Sequence, residues 1–488
     1  MRFAAILPSF LALATLSPAV EAGGYFNGAK GARAAGRAGA FTARADDLSA
    51  VAFNPAGLAH LDTSLVQVGN RFSYNAYSYR RAPTLDWGNA DNGVPPYVEF
   101  PEVENRKPWQ ALDPILGVAS KLGLTDWTFA LVAFSPAGLA QEDYPDGGGQ
   151  RYMMVNREAI ILNYSASAAW KFRNTFGLGA SLQWIAVPKL KYALVIDGSP
   201  YPGTGNPVSS ELDMLATTEG ADYFTLNAVL GGWYRPAPFL ELGLSGQVLP
   251  SAMTTNSTLS VKATSPGLAG DVRLVRDGKP ANDVEITFPM PLTFRGGVRY
   301  RHLDGEKELF DLELDATYET WSSVQRFVVE SHDLVANYQE QLIPIGRIEI
   351  EKQWRNSLTL ALGGDYAVLP GLLSARGGAY YETAVADRAH ANIDFAGGQF
   401  LGFALGGSLY RGGVELALAY ELRYQPPLSV SERDARVYQE VPGSPCRPPY
   451  TGSQCHEAYQ GLPAPAVNAG TYRSHSHVAS VDVIYRFR

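Results

Sequence analysis

What this sequence has little of narrows the field first. Only two cysteines occur in 488 residues, so at most one disulfide can form. Beyond residue 22 there is no run of ~18 or more apolar residues, which excludes membrane-spanning helices. Lysine and arginine nowhere cluster and the formal charge is −8, so nucleic acid is not the partner. No G-x-S-x-G or H-E-x-x-H motif is present. Gly28, Gly31, Gly36 and Gly39 follow no strand and lack a Lys-Ser or Lys-Thr at the required spacing, which argues against a phosphate-cradling loop. His475 and His477 share one face of a strand, but no cysteine or carboxylate stands close by, so they read as surface histidines. The chain is therefore expected to be no enzyme, to hold no metal and to need no cofactor.

Residues 1–22 read as a secretory signal, with Arg2 as its positive start, an apolar stretch over 3–16, and Val20-Glu21-Ala22 as a small-residue cleavage site. An exported chain without apolar helices is either soluble or a transmembrane barrel, because only helices and closed barrels satisfy every backbone group in lipid. From about residue 64 the dominant signal has period two. Phe310, Leu312, Leu314, Ala316 and Tyr318 alternate with Asp311, Glu313, Asp315, Thr317 and Glu319. Val414, Leu416, Leu418, Tyr420, Leu422 and Tyr424 alternate with Glu415, Ala417, Ala419, Glu421 and Arg423. Such alternation marks strands with one apolar and one polar face.

The same template predicts fourteen strands, near 66–78, 115–122, 127–134, 160–172, 176–186, 224–234, 240–248, 292–300, 310–319, 358–366, 373–381, 401–410, 414–424 and 478–487. The connections between them alternate long and short. A soluble sandwich has no reason to sort its loops by parity. An outer-membrane barrel does, with short periplasmic turns, long outer loops and an even strand number. The expected fold is all-β, a 14-stranded antiparallel transmembrane barrel over residues 63–488 in the bacterial outer membrane. Aromatic residues near the ends of the apolar stripes, among them Trp170, Phe172, Tyr485 and Phe487, fit the girdles at the lipid boundary.

Residues 23–62 do not alternate. They are rich in glycine and alanine, with short helices expected around 43–52 and a turn at Asn54-Pro55-Ala56-Gly57, where Gly57 can take positive φ. So little bulk makes no core of its own. The natural place for this segment is inside the lumen as a plug, where Gly28, Gly31, Gly36 and Gly39 permit close packing.

Residues 36–58, GRAGAFTARADDLSAVAFNPAGL, resemble the N-terminal hatch of the outer-membrane long-chain fatty acid and aromatic-hydrocarbon transporters (FadL/TodX-like, OMPP1). Pro289 and Pro291 leading through Gly297-Val298-Arg299-Tyr300 to Tyr318 and Trp321, and Gly363 to Tyr366 followed by Arg376-Gly377-Gly378, are further similarities. Two features depart from the family. The last residue is Arg488, with Phe487 one place early for the aromatic end read by the assembly machinery, and the loop at 424–478 is long and proline-rich.

The resemblance implies passive uptake of a hydrophobic small molecule, a long-chain fatty acid or an aromatic hydrocarbon. The partners would be that ligand, outer-membrane lipid and lipopolysaccharide, and the barrel assembly machinery, with the protein a monomer. Capture would fall to external loops. The loop at 186–224 supplies Leu190, Tyr192, Leu194, Ile196, Met214 and Leu215. Release would follow movement of the hatch around Asn54 and Pro55, laterally through a gap that a kink in the third strand opens in this family. Ser135-Pro136-Ala137-Gly138 echoes the hatch motif, either as a break in that strand or as chance repetition in a Gly/Ala-rich chain. Arg295, Arg299 and Arg376 face the lumen by parity, and any of them could meet a carboxylate. Cys446 and Cys455, in an exported loop, are expected to pair. The alternatives are a general diffusion porin and a lipase-type barrel enzyme.

Overall fold

The computed structural model describes residues 30–487, apart from 87–95, 137–138, 198–207, 212, 265–271, 339–340, 346, 396 and 439–465. The signal segment, Gly28, Cys446 and Cys455 lie outside the described residues. Fourteen antiparallel strands close into a barrel. They are β1 (Ser64–Arg81), β2 (Pro114–Ser120), β3 (Trp127–Phe134), β4 (Asn156–Phe172), β5 (Phe176–Asp197), β6 (Asp213–Ala237) and β7 (Leu240–Gln247). The second half comprises β8 (Thr293–Asp304), β9 (Lys307–Glu319), β10 (Ser357–Leu369), β11 (Leu373–Glu382), β12 (Phe400–Arg411), β13 (Val414–Val430) and β14 (Gly470–Phe487). Each pairs with the next, and β14 returns to β1 from Ser64↔Phe487 to Arg81↔Gly470 without a register shift. All fourteen overlap the strands expected from periodicity.

Polarity runs inside out, which separates this barrel from a soluble sandwich. On β9, Leu312 and Leu314 are 49% and 53% exposed, while Asp311, Glu313 and Asp315 between them are buried. Lipid covers the apolar face, and the lumen takes the polar one. The short connections fall at one rim, as parity requires. Gly412 and Gly413 join β12 to β13 with φ of +59° and +83°, the backbone of a two-residue hairpin turn that favours glycine twice.

The segment expected to be an apolar external loop at 186–224 is largely strand. β5 and β6 run 22 and 25 residues, where about 9–11 suffice to cross a bilayer. Their outer halves pair as a hairpin, with Leu190↔Gly220 and Ile196↔Met214. A sheet of Ser251–Ala263, Asp283–Met290, Arg326–Glu330 and Ile348–Glu351 extends it sideways. β-branched and apolar residues in this stretch bury one another across strands, so the chain stays extended far beyond the membrane.

Residues 30–62 lie within the ring and touch strands on every side of it. Two single-turn helices form, α1 (Ala32–Ala35) and α2 (Ala50–Phe53), followed by a 3₁₀ turn over Pro55–His60. Helix was expected over 43–52, but residues 42–49 are turns held by contacts to the wall. Wall glycines mark where backbone meets backbone. A Cβ on Gly363 would stand 2.2 Å from the Arg37 carbonyl oxygen, and one on Gly179 2.4 Å from the Ala56 nitrogen. Gly363→Val should therefore yield a barrel of normal heat-modifiable gel mobility whose N-terminal segment is cut by added protease. Protection equal to the parent would show that the wall does not need this glycine.

Candidate functional site

The inner segment is held chiefly by β9, whose alternating carboxylates all turn inward. The Phe41 and Thr42 amides both donate to Asp315 Oδ2 at 2.8 Å, and the Ala43 amide donates to Glu313 Oε1 at 2.6 Å. Fully buried Arg37 donates to Asp311 Oδ1 and Asp365 Oδ1 at 2.8 Å and to Glu313 Oε2 at 3.0 Å, with its Nε on the Ala40 carbonyl at 2.8 Å. Arg33 pairs with Asp46 at 2.9 Å and reaches Glu415 of β13 at 3.5 Å. Arg44 meets Asp311 at 3.1 Å. Burying so many charges is tolerable only because each has opposite charge and directed hydrogen bonds around it.

The other side is held by neutral groups. Asn54 caps the 3₁₀ turn by accepting from the Ala56 amide, and its Nδ2 donates to the Thr42 and Gly232 carbonyls at 2.9 and 3.0 Å. Pro55 occupies the first position of that turn, where its missing N–H costs nothing. Trp233 Nε1 donates to the Ala56 carbonyl at 3.0 Å, Gln183 Nε2 to the Val51 carbonyl at 3.0 Å, and Ser245 to the Phe53 carbonyl. His60 lies against Trp233 with ring centres 4.5 Å apart and planes tilted by 32°, and burial pushes its imidazole down to about 4, so it stays neutral. At Gly57 a positive φ was expected. It lies instead within the 3₁₀ turn, and glycine is needed there because a Cβ would stand 2.3 Å from the Ala45 carbonyl oxygen. Gly31 and Gly39 do take positive φ, at +77° and +83°, and a Cβ on Gly36 would strike Arg376 at 2.7 Å.

Between this segment and the outer end lies a cavity of about 150 Å³. One wall is uncharged, with Phe53, Phe134, Pro136, Ile185, Val229 and Met290 interleaved with Asn163, Gln183, Asn227 and Gln247. The opposite wall carries Arg295, Thr317, Thr359, Glu382 and Arg423. Lys30 also borders it, with burial pulling its ammonium down to about 8 and Asp113 opposing that at 3.8 Å.

Pro136 sits where strand pairing is interrupted. β3 pairs with β4 up to Phe134↔Asn163, and pairing resumes only at Leu139↔Ile160. Between those two pairs Ser135 and Pro136 have no strand partner on β4. A proline, lacking a donor, suits that site.

The residues expected to form a capture loop do not converge on one exposed groove. Leu190 packs with Ile185, Val187 and Met290 above the cavity. Met214 and Ile196 join the cluster under the outer sheet, and Tyr192 and Leu215 join a third cluster with Tyr79 and Tyr472. Tyr192 donates to the Met153 carbonyl at 3.0 Å. Leu194 is half-buried opposite Ala216. Cross-strand pairing turns successive side chains to opposite faces, so one apolar run serves several cores. His475 and His477 face outward, His477 bonded to the Tyr420 hydroxyl at 2.7 Å.

Of the three lumen arginines, Arg299 is taken up by Glu241, Glu308 and Asp311, each at 2.5 Å, and Arg376 by Asp365, Ser374 and Ser408. Only Arg295 is turned to the cavity. Sequence reading missed Arg37, Gln183 and Trp233 as anchors. Three carboxylates at alternating positions 311, 313 and 315 were the available signal, since an ordinary lumen strand needs no such density.

A closed 14-stranded antiparallel barrel, apolar without and polar within, is the fold of an outer-membrane protein. The model of the outer membrane protein transport protein family (OMPP1/FadL/TodX) matches residues 13–396, and the chain belongs to that family. A Pseudomonas aeruginosa FadL homologue has a similar structure, with TM-score 0.71 and 16% identity over 96% of this chain and 100% of that one. The Pseudomonas putida toluene transporter TodX is similar at TM-score 0.61 and 14% identity, over 96% of this chain and 99% of that one. The CymD monoaromatic hydrocarbon channel is similar at TM-score 0.58 and 14% identity, over 94% and 97%. Identities this low speak for the fold alone. Comparison with curated proteins gives no match.

Arg37→Met should loosen the inner segment, since removing one partner from a buried charge cluster costs roughly 3–5 kcal/mol. Hydrogen exchange at the amides of residues 41–44 should accelerate by about two orders of magnitude or more, and Arg37→Lys should not rescue it because ammonium lacks the guanidinium fork. Parent-like exchange in both variants would assign the anchoring to other groups.

Proposed function

We propose that the protein admits hydrophobic compounds passively across the outer membrane and releases them sideways through the wall at Pro136. Residues 1–22 serve as the signal peptide, 23–62 as the hatch and 63–488 as the barrel. The observation that carries this reading is the cavity, bounded below by Phe53 and to one side by Phe134 and Pro136. A solute resting there lies beside Phe134 and Pro136, next to the interrupted pairing of β3 with β4, and lipid lies beyond that wall. Straight passage would instead require dismantling the Arg37 cluster, which β9 holds closed.

Entry falls to the outer hairpin of β5 and β6. Leu190, whose cluster includes Ile185 and Met290 of the cavity wall, lies on the path from outside to the cavity. The chemistry is binding and exclusion of water, and no step needs a cofactor or a covalent intermediate. The long-chain fatty acids and aromatic hydrocarbons implied by the hatch resemblance, and the toluene and monoaromatic hydrocarbons named for two structural neighbours, are the substrates to try first.

Two experiments test this reading. Removing Ser135 and Pro136 should let β3 run flush against β4, and uptake of labelled oleate or toluene by cells should fall to background while the barrel still assembles. Unimpaired uptake would rule out exit at this point. Replacing Asn54 and Pro55 together by Ala removes a cap that typically contributes ~1 kcal/mol, so uptake should drop about five-fold. Parent-like uptake would show that the turn plays no part in passage.

A further inference from the structure

The polar wall of the cavity is ordered by strand register. Arg295 of β8 pairs with Thr317 of β9, Thr317 with Thr359 of β10, and Thr359 with Glu382 of β11. These four residues form one row across the inner face, with a cation at one end, two hydroxyls between and a carboxylate at the other. Three strand spacings of ~4.8 Å separate the ends, about 14 Å along the wall.

Neither end of the row makes a hydrogen bond or close ion pair among the described residues, although Arg423 is the nearest cation to Glu382 and Glu319 and Asp315 are the anions facing Arg295. Among the described residues Arg295 has no hydrogen-bond or ion-pair partner, only the Phe53 ring 5.6 Å from its guanidinium carbon. Glu382, buried and also turned to the cavity, likewise has none among the described residues. Their neighbours do have partners. Glu319, one inward layer further out, receives Trp321 Nε1 at 3.0 Å, Ser357 at 3.3 Å and Thr293 at 3.4 Å. Tyr380 donates to Glu421 at 2.9 Å and accepts from Arg423 at 2.8 Å.

We propose that this cavity selects an amphiphile whose head carries both an anionic group and a hydrogen-bond donor, Arg295 receiving the first and Glu382 the second. The inference rests on the uptake reading above and specifies its cargo. A neutral hydrocarbon seated in the cavity strips solvent from both polar ends and offers no hydrogen bond in return, which opposes binding. A simple carboxylate answers Arg295 but brings a like charge toward Glu382. A head with an anion and an ammonium or hydroxyl satisfies both ends, with Thr317 and Thr359 between them. The alkyl body then lies along Phe53, Ile185, Val229 and Met290 toward Pro136, so the apolar end of the cargo leads at the break.

Saturation binding to the full-length protein in non-ionic detergent tests this with radiolabelled dodecane, dodecanoate and N-dodecyl-β-alanine at neutral pH, bare micelles giving the background. N-dodecyl-β-alanine should bind roughly ten-fold or more tighter than dodecane, with dodecanoate between them, because a site built to pair polar groups rejects a ligand that lacks them. Arg295→Gln should erase the advantage of dodecanoate over dodecane. Glu382→Gln should erase that of N-dodecyl-β-alanine over dodecanoate, with heat-modifiable mobility showing that both variants are folded. Equal affinities for the three probes, or affinity ratios unmoved in both variants, would overturn the inference while dodecane binding leaves the uptake reading standing. Binding of none of the three would overturn both.

Discussion

The structure depends on a row of carboxylates on one strand. Asp311, Glu313 and Asp315 project into the lumen, where lipid cannot supply counter-charge and water is largely displaced. Left alone they would repel one another and drive the wall apart. The N-terminal segment resolves this with Arg37 and with three backbone amides from consecutive residues, Phe41, Thr42 and Ala43. Strand and segment therefore stabilise each other. The segment has no core with which to fold alone, and of the three carboxylates only Asp311 has a cation of the wall beside it, Arg299, among the described residues.

That dependence explains where the open space is. The anchored side, from β8 to β13, meets the segment through ions. The opposite side, at β5 to β7, meets it through neutral donors from Gln183, Trp233 and Ser245 to carbonyls of residues 51–56. Such bonds contribute about 1 kcal/mol each, far less than breaking a buried ion cluster costs. Local movement at Asn54 and Pro55 is thus compatible with an unmoved Arg37. The uncharged wall of the cavity adjoins this weaker side, and the charged wall adjoins the stronger one.

Much of this was legible in the sequence, because a barrel strand repeats its chemistry every second residue. Periodicity located all fourteen strands, and loop parity identified the rim of short turns. The motif around Asn54 was also readable, since capping is local. What was not readable has a common cause. The reach of β5 and β6 beyond the membrane was missed because alternation weakens where both faces of a hairpin are buried among loops, as at Leu190, Tyr192 and Met214. The need for glycine at Gly57 was assigned to φ, when it comes from Ala45, a neighbour that turns back from twelve residues earlier. The separation of Arg295 from Arg299 and Arg376 turns on contacts with β7, β9 and β10, which parity cannot show.

The seam between β1 and β14 has a kinetic meaning. Its pairing runs without a register shift over all 18 residues of β1, from Ser64↔Phe487 to Arg81↔Gly470. Neighbouring ladders at β4–β5, β5–β6 and β13–β14 contain shifts at which they can part piecemeal. The seam has no such weak point, and its inward residues Gln67 and Asp482 bond to each other at 2.9 Å as well as to the inner segment. Joining the two ends of the chain is then the step after which reopening becomes slow. The persistence of the closed barrel is set by the height of that barrier more than by the depth of the folded minimum.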